Sequence, residues 1–445
     1  MRVTRFRALR PVVAAAAALV VAGSAAACGN DGSAGDRQTI TFLTHWAPDQ
    51  VKMLEAAAAA YEKTHDNVDV QIRAVPFANL LSTLRTQGAS PNGPTIASIY
   101  DLWLPELVRD GLAAPAPQQY ADDVASNWPG NLVEDVTKDG KRYGYPNEVD
   151  LYALNYNKRL FAEAGIAEPP KTWAELEAAA AKLTKPGQQG FGVITSWPAG
   201  VVHPFLSLVA SNGGQLLDGT APQLTDPKVV AVAELYQRLV DSKATDPTMS
   251  QANANTTGPY LDNFVNGKTG MLIMANWWQS SLQQAMGDRY ADVGVAPIPV
   301  GPSGSKPSAI SYSWLTIVNA KATQAKQDAA WEFLAWLNGP ESQNIVEGGK
   351  SGASAMADVL MSMGILPSRT SDLKAYETEL SDPFLKAYVD ELPNATPFPT
   401  VLGGEQATQI IQKHIEDLLF GKASAADAMK AAQEEAADVL AKANG

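Results

Sequence analysis

The sequence is poor in the residues that most enzymes and disulfide-stabilised proteins depend on. It has 445 residues but one cysteine, Cys28, which excludes an internal disulfide. Its four histidines show no H-x-x-x-H or H-x-x-E-H spacing, so we expect no zinc or other metal site. It contains no G-x-S-x-G and no G-x-G-x-x-G motif. The sequence therefore predicts no catalytic residues and no cofactor.

Positive charge is also scarce. The chain has 34 Lys and Arg against 47 Asp and Glu, a formal net charge of −13. Binding to a phosphate backbone requires clustered Lys and Arg, so we expect no nucleic-acid partner. With 46% hydrophobic and 18% charged residues the composition is that of a globular protein, and the length favours two domains.

Residues 1–27 have the pattern of a signal peptide. Four arginines precede an apolar run over residues 11–23 that is too short to serve as an anchored membrane span, and small residues follow at 24–27. The next residue is Cys28, and residues 28–38 have the Gly, Ser and Asp content of a flexible tether.

The segment Ala25-Ala26-Ala27-Cys28 resembles a bacterial lipobox, in which the cysteine becomes the diacylated first residue. Ala25 stands where such motifs prefer Leu. The resemblance implies lipidation of Cys28 and a membrane contact through the lipid anchor only. The alternative is a secreted protein with an unmodified cysteine.

Strand and helix patterns alternate over the first third of the chain. This order predicts a parallel sheet with helical crossovers, and ligands of such sheets bind at the carboxyl ends of the strands. Those ends are His45-Trp46 and residues 100–103. The predicted segments are strands over 39–44, 68–72 and 95–100 and helices over 48–61 and 77–84.

Residues 140–173 include an extended segment with acids and aromatics. A segment of this kind can carry the chain from one lobe of a two-lobed protein to the other, beside a cleft. A Gly-Pro break at 144–146 precedes an extended segment with Glu148, Asp150, Tyr152 and Tyr156. A helix follows from residue 158, and a Thr-x-x-Glu capping box at 172–175 opens another. The alternative is an ordinary strand–helix–helix unit.

The remaining chain continues the alternation of strands and helices. Two prolines within 196–205 predict a loop there. The other predictions are strands over 190–195, 293–299 and 310–318, a strand that stops at 277–278, and helices over 174–183, 229–240, 325–337, 406–419 and 423–441.

The pattern GKxYGxP…LxYNKxLFxxAGxxxPPxTWxEL over residues 140–176 resembles the family 1 extracellular solute-binding proteins, the sugar-capturing subunits of ABC importers. Later blocks resemble the family as well, among them GVAPxPxGPxG from residue 294 and G-x-LPxR from residue 364. The resemblance covers nearly all of residues 39–445.

The resemblance implies an α/β, two-lobed, periplasmic-binding-protein-like (type II) fold with a ligand cleft between the lobes. The N-terminal lobe takes residues 39–149 and 315–375, and the C-terminal lobe takes 150–314 and 376–445. The function implied is that of a monomeric, non-enzymatic protein that captures a mono- or oligosaccharide at the outer face of the cell membrane. It would deliver that sugar to the transmembrane subunits of an ABC permease.

Aromatic content agrees with a sugar ligand, because the chain has ten tryptophans and a pyranose presents an apolar face to flat rings. For any one tryptophan core packing is the alternative, and Trp331 and Trp336 are predicted to be core. Arg369 is either a ligand contact or a structural clamp. The ligand-binding residues implied by position are Trp46, Asp101, Trp103, Glu148, Asp150, Trp197, Asn276, Trp277, Tyr312, Trp314 and Arg369.

Three other functions remain open at the level of sequence. The same fold would serve a non-sugar solute such as a polyol, a glycerol phosphate ester or a peptide. A glycoside hydrolase would use a pair such as Asp101 and Glu148 as acid and base. An adhesive lipoprotein would bind no small solute. Phe398 stands where some oligosaccharide binders add a tryptophan, so the number of sugar subsites stays open.

Overall fold

The computed structural model describes residues 37–195, 197–250 and 258–445. The predicted signal peptide, Cys28 and the tether up to residue 36 lie outside the described residues. None of the helices in the described ranges is long and apolar enough to cross a membrane. Within the same ranges, no group of three or more His, Cys, Asp or Glu side chains is placed to hold a metal ion.

The strands of the described residues differ in length, and most of them belong to one sheet. In chain order the strands are β1 (Gln38–Thr44), β2 (Val68–Ala74), β3 (Ile96–Tyr100), β4 (Thr137–Lys138), β5 (Lys141–Arg142), β6 (Tyr145–Asn157), β7 (Gln189–Gly192), β8 (Leu217–Asp218), β9 (Ala221–Pro222), β10 (Thr269–Ala275), β11 (Val293–Ala296), β12 (Ile310–Val318), β13 (Leu366–Pro367) and β14 (Thr396–Pro397).

Helices pack around this sheet. In chain order they are α1 (Pro48–Glu62), α2 (Phe77–Gln87), α3 (Leu104–Arg109), α4 (Gln118–Asn127), α5 (Gly130–Asp135), α6 (Lys158–Glu163), α7 (Trp173–Leu183), α8 (Pro198–Ser211), α9 (Pro227–Asp241), α10 (Gly258–Val265), α11 (Gln279–Met286), α12 (Gln324–Leu337), α13 (Ala355–Met361), α14 (Thr370–Ala375), α15 (Glu377–Leu380), α16 (Pro383–Glu391), α17 (Gly404–Leu419) and α18 (Ala425–Asn444).

The first part of the sheet has the predicted parallel arrangement. Strand β1 pairs in parallel with β2 on one side and with β3 on the other, and α1 and α2 form the crossovers. The apolar positions of β1 pack inward, because Ile40 and Phe42 are fully buried. Parallel pairing places the carboxyl ends of β1 and β3 at one edge.

Strand β6 connects the two parts of the sheet. Its first half pairs antiparallel with β12, while its second half pairs antiparallel with β10 and β11. Strand β12 in turn pairs with β3, and β10 with β7. Strand β6 is therefore shared between the two parts, and residues near 150 of β6 and near 312 of β12, which pair with each other, lie where those parts meet.

The start of β6 differs from the sequence prediction. The strand begins at Tyr145 and includes Pro146, which was expected to break regular structure. The register against β12 shifts between Trp314 and Leu315, the residue that pairs with Pro146. A proline is tolerated at such an irregularity because no regular ladder bond is lost there.

Gly144 lets β6 start this close to β12. It has φ +101°, and a Cβ atom at this position would lie 2.1 Å from the carbonyl oxygen of Thr316. A side chain here is excluded by both backbone conformation and space.

Helix α8 is the one long element that the sequence misassigned. The segment expected to be a loop is helical from Pro198 onward, with Pro204 inside the helix. Pro198 is at the first helical turn, where a missing N–H costs nothing. Pro204 removes an internal hydrogen bond, which costs on the order of 3 kcal/mol. That cost is offset by burial, since Val202, Phe205 and Leu208 are fully buried.

The capping predicted for α7 is confirmed. The Thr172 side chain accepts from the backbone N–H of Glu175, and the Glu175 carboxylate accepts from the backbone N–H of Thr172. This reciprocal pair satisfies two N–H groups that the first turn of a helix leaves free. The remaining predicted strands and helices are present with shifts of a few residues at their ends.

Candidate ligand-binding site

The pairing of β3, β12 and β6 places acids and aromatics on one face of the sheet. Trp314 lies opposite Tyr100 on one side and opposite Glu148 on the other, and Tyr312 lies opposite Asp150. Directly paired residues and residues two apart on a strand point to the same face. These five side chains therefore share a face where the two parts of the sheet meet.

Rings from several elements collect around this face in what we call the aromatic cluster. Tyr312 lies 5.6 Å from Tyr100 and 4.8 Å from His203 between ring centroids. Trp314 lies 5.8 Å from Trp103 and 6.1 Å from Tyr100. The members of the aromatic cluster are Tyr100, Trp103, Tyr152, His203, Tyr312, Trp314 and Phe398. The cluster thus joins β3, β12, β6 and helix α8.

His203 ties helix α8 to the end of β3. Its Nε2 atom is 2.7 Å from the hydroxyl of Tyr100, and the residue is fully buried. Burial lowers the pKa of His203 to about 3, so the imidazole is neutral at physiological pH. Its Nδ1 atom has no hydrogen-bond partner among the described residues. A neutral imidazole with one free nitrogen can accept from or donate to a hydroxyl of a solute.

Two tryptophans from the second part of the sheet reach the same cluster. The indole N–H of Trp277 donates to the hydroxyl of Tyr312 at 2.8 Å, and Trp277 lies 6.3 Å from Trp197 between ring centroids. The Trp197 indole packs against Gly200, where a Cβ would approach the ring to 2.4 Å. Trp277 is half-buried, so one part of its ring remains open to solvent.

Asn276 joins the end of β10 to β6 and orients Asp150. Its amide Nδ2 donates to Asp150 Oδ1 at 2.7 Å, and its Oδ1 accepts from the backbone N–H of Leu151 at 3.0 Å. Burial raises the pKa of Asp150 to about 7, although the hydrogen bond from Asn276 acts to lower it. The carboxyl group is therefore close to its titration point at neutral pH.

Glu148 has fewer partners than Asp150. Its Oε2 atom is buried without a hydrogen-bond partner among the described residues. Burial, and after it the neighbouring charge of Asp150, raise the pKa of Glu148 well above its usual range. Neither acid forms an ion pair with a Lys, Arg or His of the described chain. The face therefore offers carboxyl groups that no protein cation neutralises.

Asp101 is held from the backbone of β12. Its Oδ2 atom accepts from the N–H of Ser313 at 2.7 Å, and the Ser313 hydroxyl donates to Asp135 at 3.1 Å. Burial, followed by the nearby charge of Asp135, raises the pKa of Asp101 well above its usual range. Asp101 Oδ1 lacks a hydrogen-bond partner in the described part of the chain.

Polar contacts also link this region to the C-terminal segments. The Trp103 indole N–H donates to Glu405 of α17 at 3.0 Å. Lys138 donates from Nζ to the hydroxyl of Thr400 at 3.0 Å. These bonds join residues near 100–138 to residues near 400.

Arg369 and Trp46 are not members of the aromatic cluster. The Arg369 guanidinium lies over the Trp128 ring, 5.5 Å from its centroid, and donates to the hydroxyl of Ser371 at 2.8 Å. These contacts match the clamp role that the sequence left open. Trp46 is 6% exposed and lies 6.3 Å from the Phe42 ring.

The structure brings together most of the residues that the sequence singled out and adds others. His45 stacks on Trp314 at a centroid distance of 4.1 Å, and its place at the end of β1 was visible in the sequence. His203 was not foreseen as a member, because it lies in the segment that two prolines marked as a loop. Phe398 was noted only as a substitution for tryptophan, and its packing on His203 at 4.7 Å has no sequence signal.

Comparisons with known proteins show what this chain is similar to. The model of the bacterial extracellular solute-binding protein family matches residues 47–344. A chain from Brucella abortus (strain 2308) named as a binding protein is 27% identical over 395 residues, covering 87% of this chain and 90% of that one. The diacetylchitobiose-binding protein of Streptomyces coelicolor is 27% identical over 345 residues, covering 72% of this chain and 76% of that one.

A solved structure shows the same fold. The GacH receptor of Streptomyces glaucescens, described unliganded and with acarbose, superposes with a TM-score of 0.77 at 24% identity. The match covers 91% of this chain and 98% of that one. The predicted two-lobed α/β fold is confirmed by this likeness.

Proposed function

We propose that this chain, which belongs to the family of bacterial extracellular solute-binding proteins, captures a carbohydrate outside the cell and delivers it to an ABC permease. The observation that carries the proposal is the shared face of β3, β12 and β6, where aromatic rings and carboxyl groups meet. A pyranose has an apolar C–H face that packs on such rings and hydroxyls that donate to such acids. The proposed role involves binding and release, with no reaction on the solute.

The proposed ligand contacts come from both lobes. We assign residues 39–149 and 315–375 to the N-terminal lobe and residues 150–314 and 376–445 to the C-terminal lobe. Trp103 of the N-terminal lobe would then contact one side of the sugar, and Trp197, Trp277 and Trp314 of the C-terminal lobe would contact the other. A solute held by one lobe gains the second set of contacts only when the lobes close, so binding favours the closed form.

Among the described residues, the lack of an ion-paired cation beside Glu148 and Asp150 argues against an anionic solute. Glu148 and Asp150 are both buried at this face, and they form no ion pair with the described cationic side chains. A phosphate ester would require Arg or Lys at the site. Arg369, the one cation considered from the sequence, lies over Trp128 instead. A neutral polyhydroxylated solute fits this environment better than a glycerol phosphate ester.

Titration calorimetry against a panel of solutes tests the proposal. The panel contains malto-, chito- and cello-oligosaccharides, sorbitol and glycerophosphocholine, each added to the mature protein. We expect a saccharide to bind in the micromolar range or tighter, with a Kd that corresponds to about −8 kcal/mol or better. Tight binding of the phosphodiester together with failure of every saccharide would overturn the proposal, as would release of reducing ends from a bound saccharide.

We propose further that Cys28 carries the lipid that holds the protein at the outer face of the membrane. The support is the signal-like segment before it and the family's extracellular location. Mass spectrometry of the mature N-terminus is expected to show a diacylated cysteine as the first residue. Cys28→Ser is expected to release the protein into the medium. An unmodified Cys28, or a variant that stays with the membrane, would contradict this assignment.

A further inference from the structure

The first turn of α17 lies against the short turn that follows β3. The Trp103 indole N–H donates to Glu405 Oε2 at 3.0 Å, and Trp103 is one of the residues assigned above to contact the sugar. We propose, on the basis of the proposed sugar-binding function, that Glu405 is a positioning residue for Trp103. In this role its carboxylate fixes the Trp103 ring when the lobes close on the solute, and it slows the release of that solute.

The bond between Trp103 and Glu405 joins the two lobes as we assign them. Trp103 follows β3 in the N-terminal lobe, and Glu405 is the second residue of α17 in the C-terminal lobe. A hydrogen bond between lobes forms only when they are close together, so it stabilises the closed form and contributes nothing to the open one. Its free energy adds to that of the solute contacts in the closed complex, and reopening therefore becomes slower.

The orientation of the Trp103 ring depends on Glu405. An indole has a single N–H, which here donates to the Glu405 carboxylate. Trp103 is 4% exposed, and the rings of Phe77, Tyr100 and Trp314 lie 6.2, 5.9 and 5.8 Å from it between centroids. These ring contacts set the place of the indole, whereas the bond to Glu405 fixes its rotation. Loss of this acceptor would leave a buried N–H unpaired, which destabilises the closed arrangement.

The Glu405 carboxylate is itself held in place. Its Oε1 atom accepts from the side-chain amide of Gln409 at 3.0 Å, one turn later on α17, while its Oε2 atom accepts from Trp103. Glu405 also lies in the first turn of α17, where the helix dipole favours a negative charge. The acceptor for Trp103 is therefore a charged and oriented group, and hydrogen bonds to charged groups are stronger than those between neutral ones.

Backbone packing brings α17 close enough for this bond. A Cβ atom at Gly404 would lie 2.7 Å from Leu102 Cδ1, so the absence of a side chain there lets α17 approach the turn after β3. Both Gly404 and Leu102 are buried. The packed pair and the hydrogen-bonded pair are adjacent in sequence on both sides of the contact. The lobes thus meet at a defined place, and the Glu405 carboxylate returns to the same position each time they close.

Stopped-flow tryptophan fluorescence with the tightest-binding saccharide of the calorimetry panel tests the inference on the mature protein. Glu405→Leu removes the acceptor and is expected to raise the dissociation rate constant at least fivefold. The association rate constant is expected to change less than twofold, because encounter takes place with the lobes open, before the bond forms. Glu405→Gln keeps an acceptor oxygen and is expected to hold the dissociation rate constant within twofold of that of the unchanged protein.

Trp103→Phe provides a second test, because it keeps an aromatic ring and removes the indole N–H. In the Trp103→Phe background Glu405→Leu is expected to change the dissociation rate constant less than twofold, since the bond is already absent. A general contribution of Glu405 to stability would instead give the same change in both backgrounds.

Glu416→Leu is the matched control. Glu416 lies on the same helix, is half-buried as Glu405 is, and accepts from Gln412 one turn away at 2.8 Å. It is 11 residues further along α17 than Glu405, about 16 Å at the rise of an α-helix. Its replacement is expected to leave both rate constants unchanged.

Four results would overturn the role of Glu405 alone while saccharide binding persists. They are an unchanged dissociation rate constant in Glu405→Leu, release from Glu405→Gln as fast as from Glu405→Leu, an equal effect of Glu405→Leu in the Trp103→Phe background, and an equal effect of Glu416→Leu. Failure of every saccharide to bind would overturn the proposed function and the role of Glu405 together.

Discussion

Trp277→Ala is expected to weaken carbohydrate binding at least tenfold, a loss of about 1.4 kcal/mol or more, with little change in the melting temperature. The Trp277 ring is half-buried, and its N–H donates to Tyr312 at 2.8 Å beside Trp197. A sugar that packs on this indole loses its apolar platform in the variant. The fold depends less on Trp277, since part of the ring faces solvent. Calorimetry with the best ligand of the panel measures the effect.

Two further variants separate the contribution of the Trp277 aromatic ring from that of its location in the site. Trp277→Phe keeps an aromatic face and removes the donor to Tyr312, so we expect an intermediate loss of affinity. Trp336→Ala removes another half-buried tryptophan, one that packs on Tyr61 at 5.2 Å away from the site. It is expected to lower the melting temperature and to leave affinity unchanged. An affinity of Trp277→Ala equal to that of the unchanged protein would remove Trp277 from the site.

Much of the fold could be predicted because its determinants are local. The alternation of Ile40 and Phe42, the helix start at Pro48 and the capping box at Thr172 each act within a few residues. The loop assigned to the start of α8 was wrong because proline penalties are local, whereas the burial that outweighs them is tertiary. The same applies to Pro146, whose place in β6 depends on an irregularity in the partner strand β12.

The candidate site likewise combines features that follow from the local sequence with contacts that depend on tertiary packing. The positions of Asp101 and Trp103 just after β3 could be predicted, because the order of strands and helices implies which edge the strand ends share. The partners of those residues were not predictable. The bond from His203 to Tyr100 joins residues 103 positions apart, and Trp103 reaches Glu405 across 302 positions. Contacts at such separations follow from packing in three dimensions and leave no periodic signal in the chain.

The ligand-free protein is expected to become less stable as the pH rises from about 4 to about 7, in part because of Asp150. Burial raises the pKa of this carboxyl to about 7 in the folded chain, from 3.8 when exposed. The folded state thus binds the proton more tightly than the unfolded state across that window, so the free energy of unfolding falls as the pH rises.

Asp150→Asn removes this titration and keeps an oxygen that can accept from Asn276. Urea unfolding at several pH values is expected to show the stability of the variant rising relative to that of the unchanged protein as the pH rises, by at least about 1.4 kcal/mol, the equivalent of one pKa unit, by pH 8. Asp288→Asn removes an equal charge at an exposed position and is expected to show no such trend. A stability difference for Asp150→Asn that stays constant from pH 4 to pH 8 would mean that Asp150 ionises in the folded chain as it does in the unfolded one.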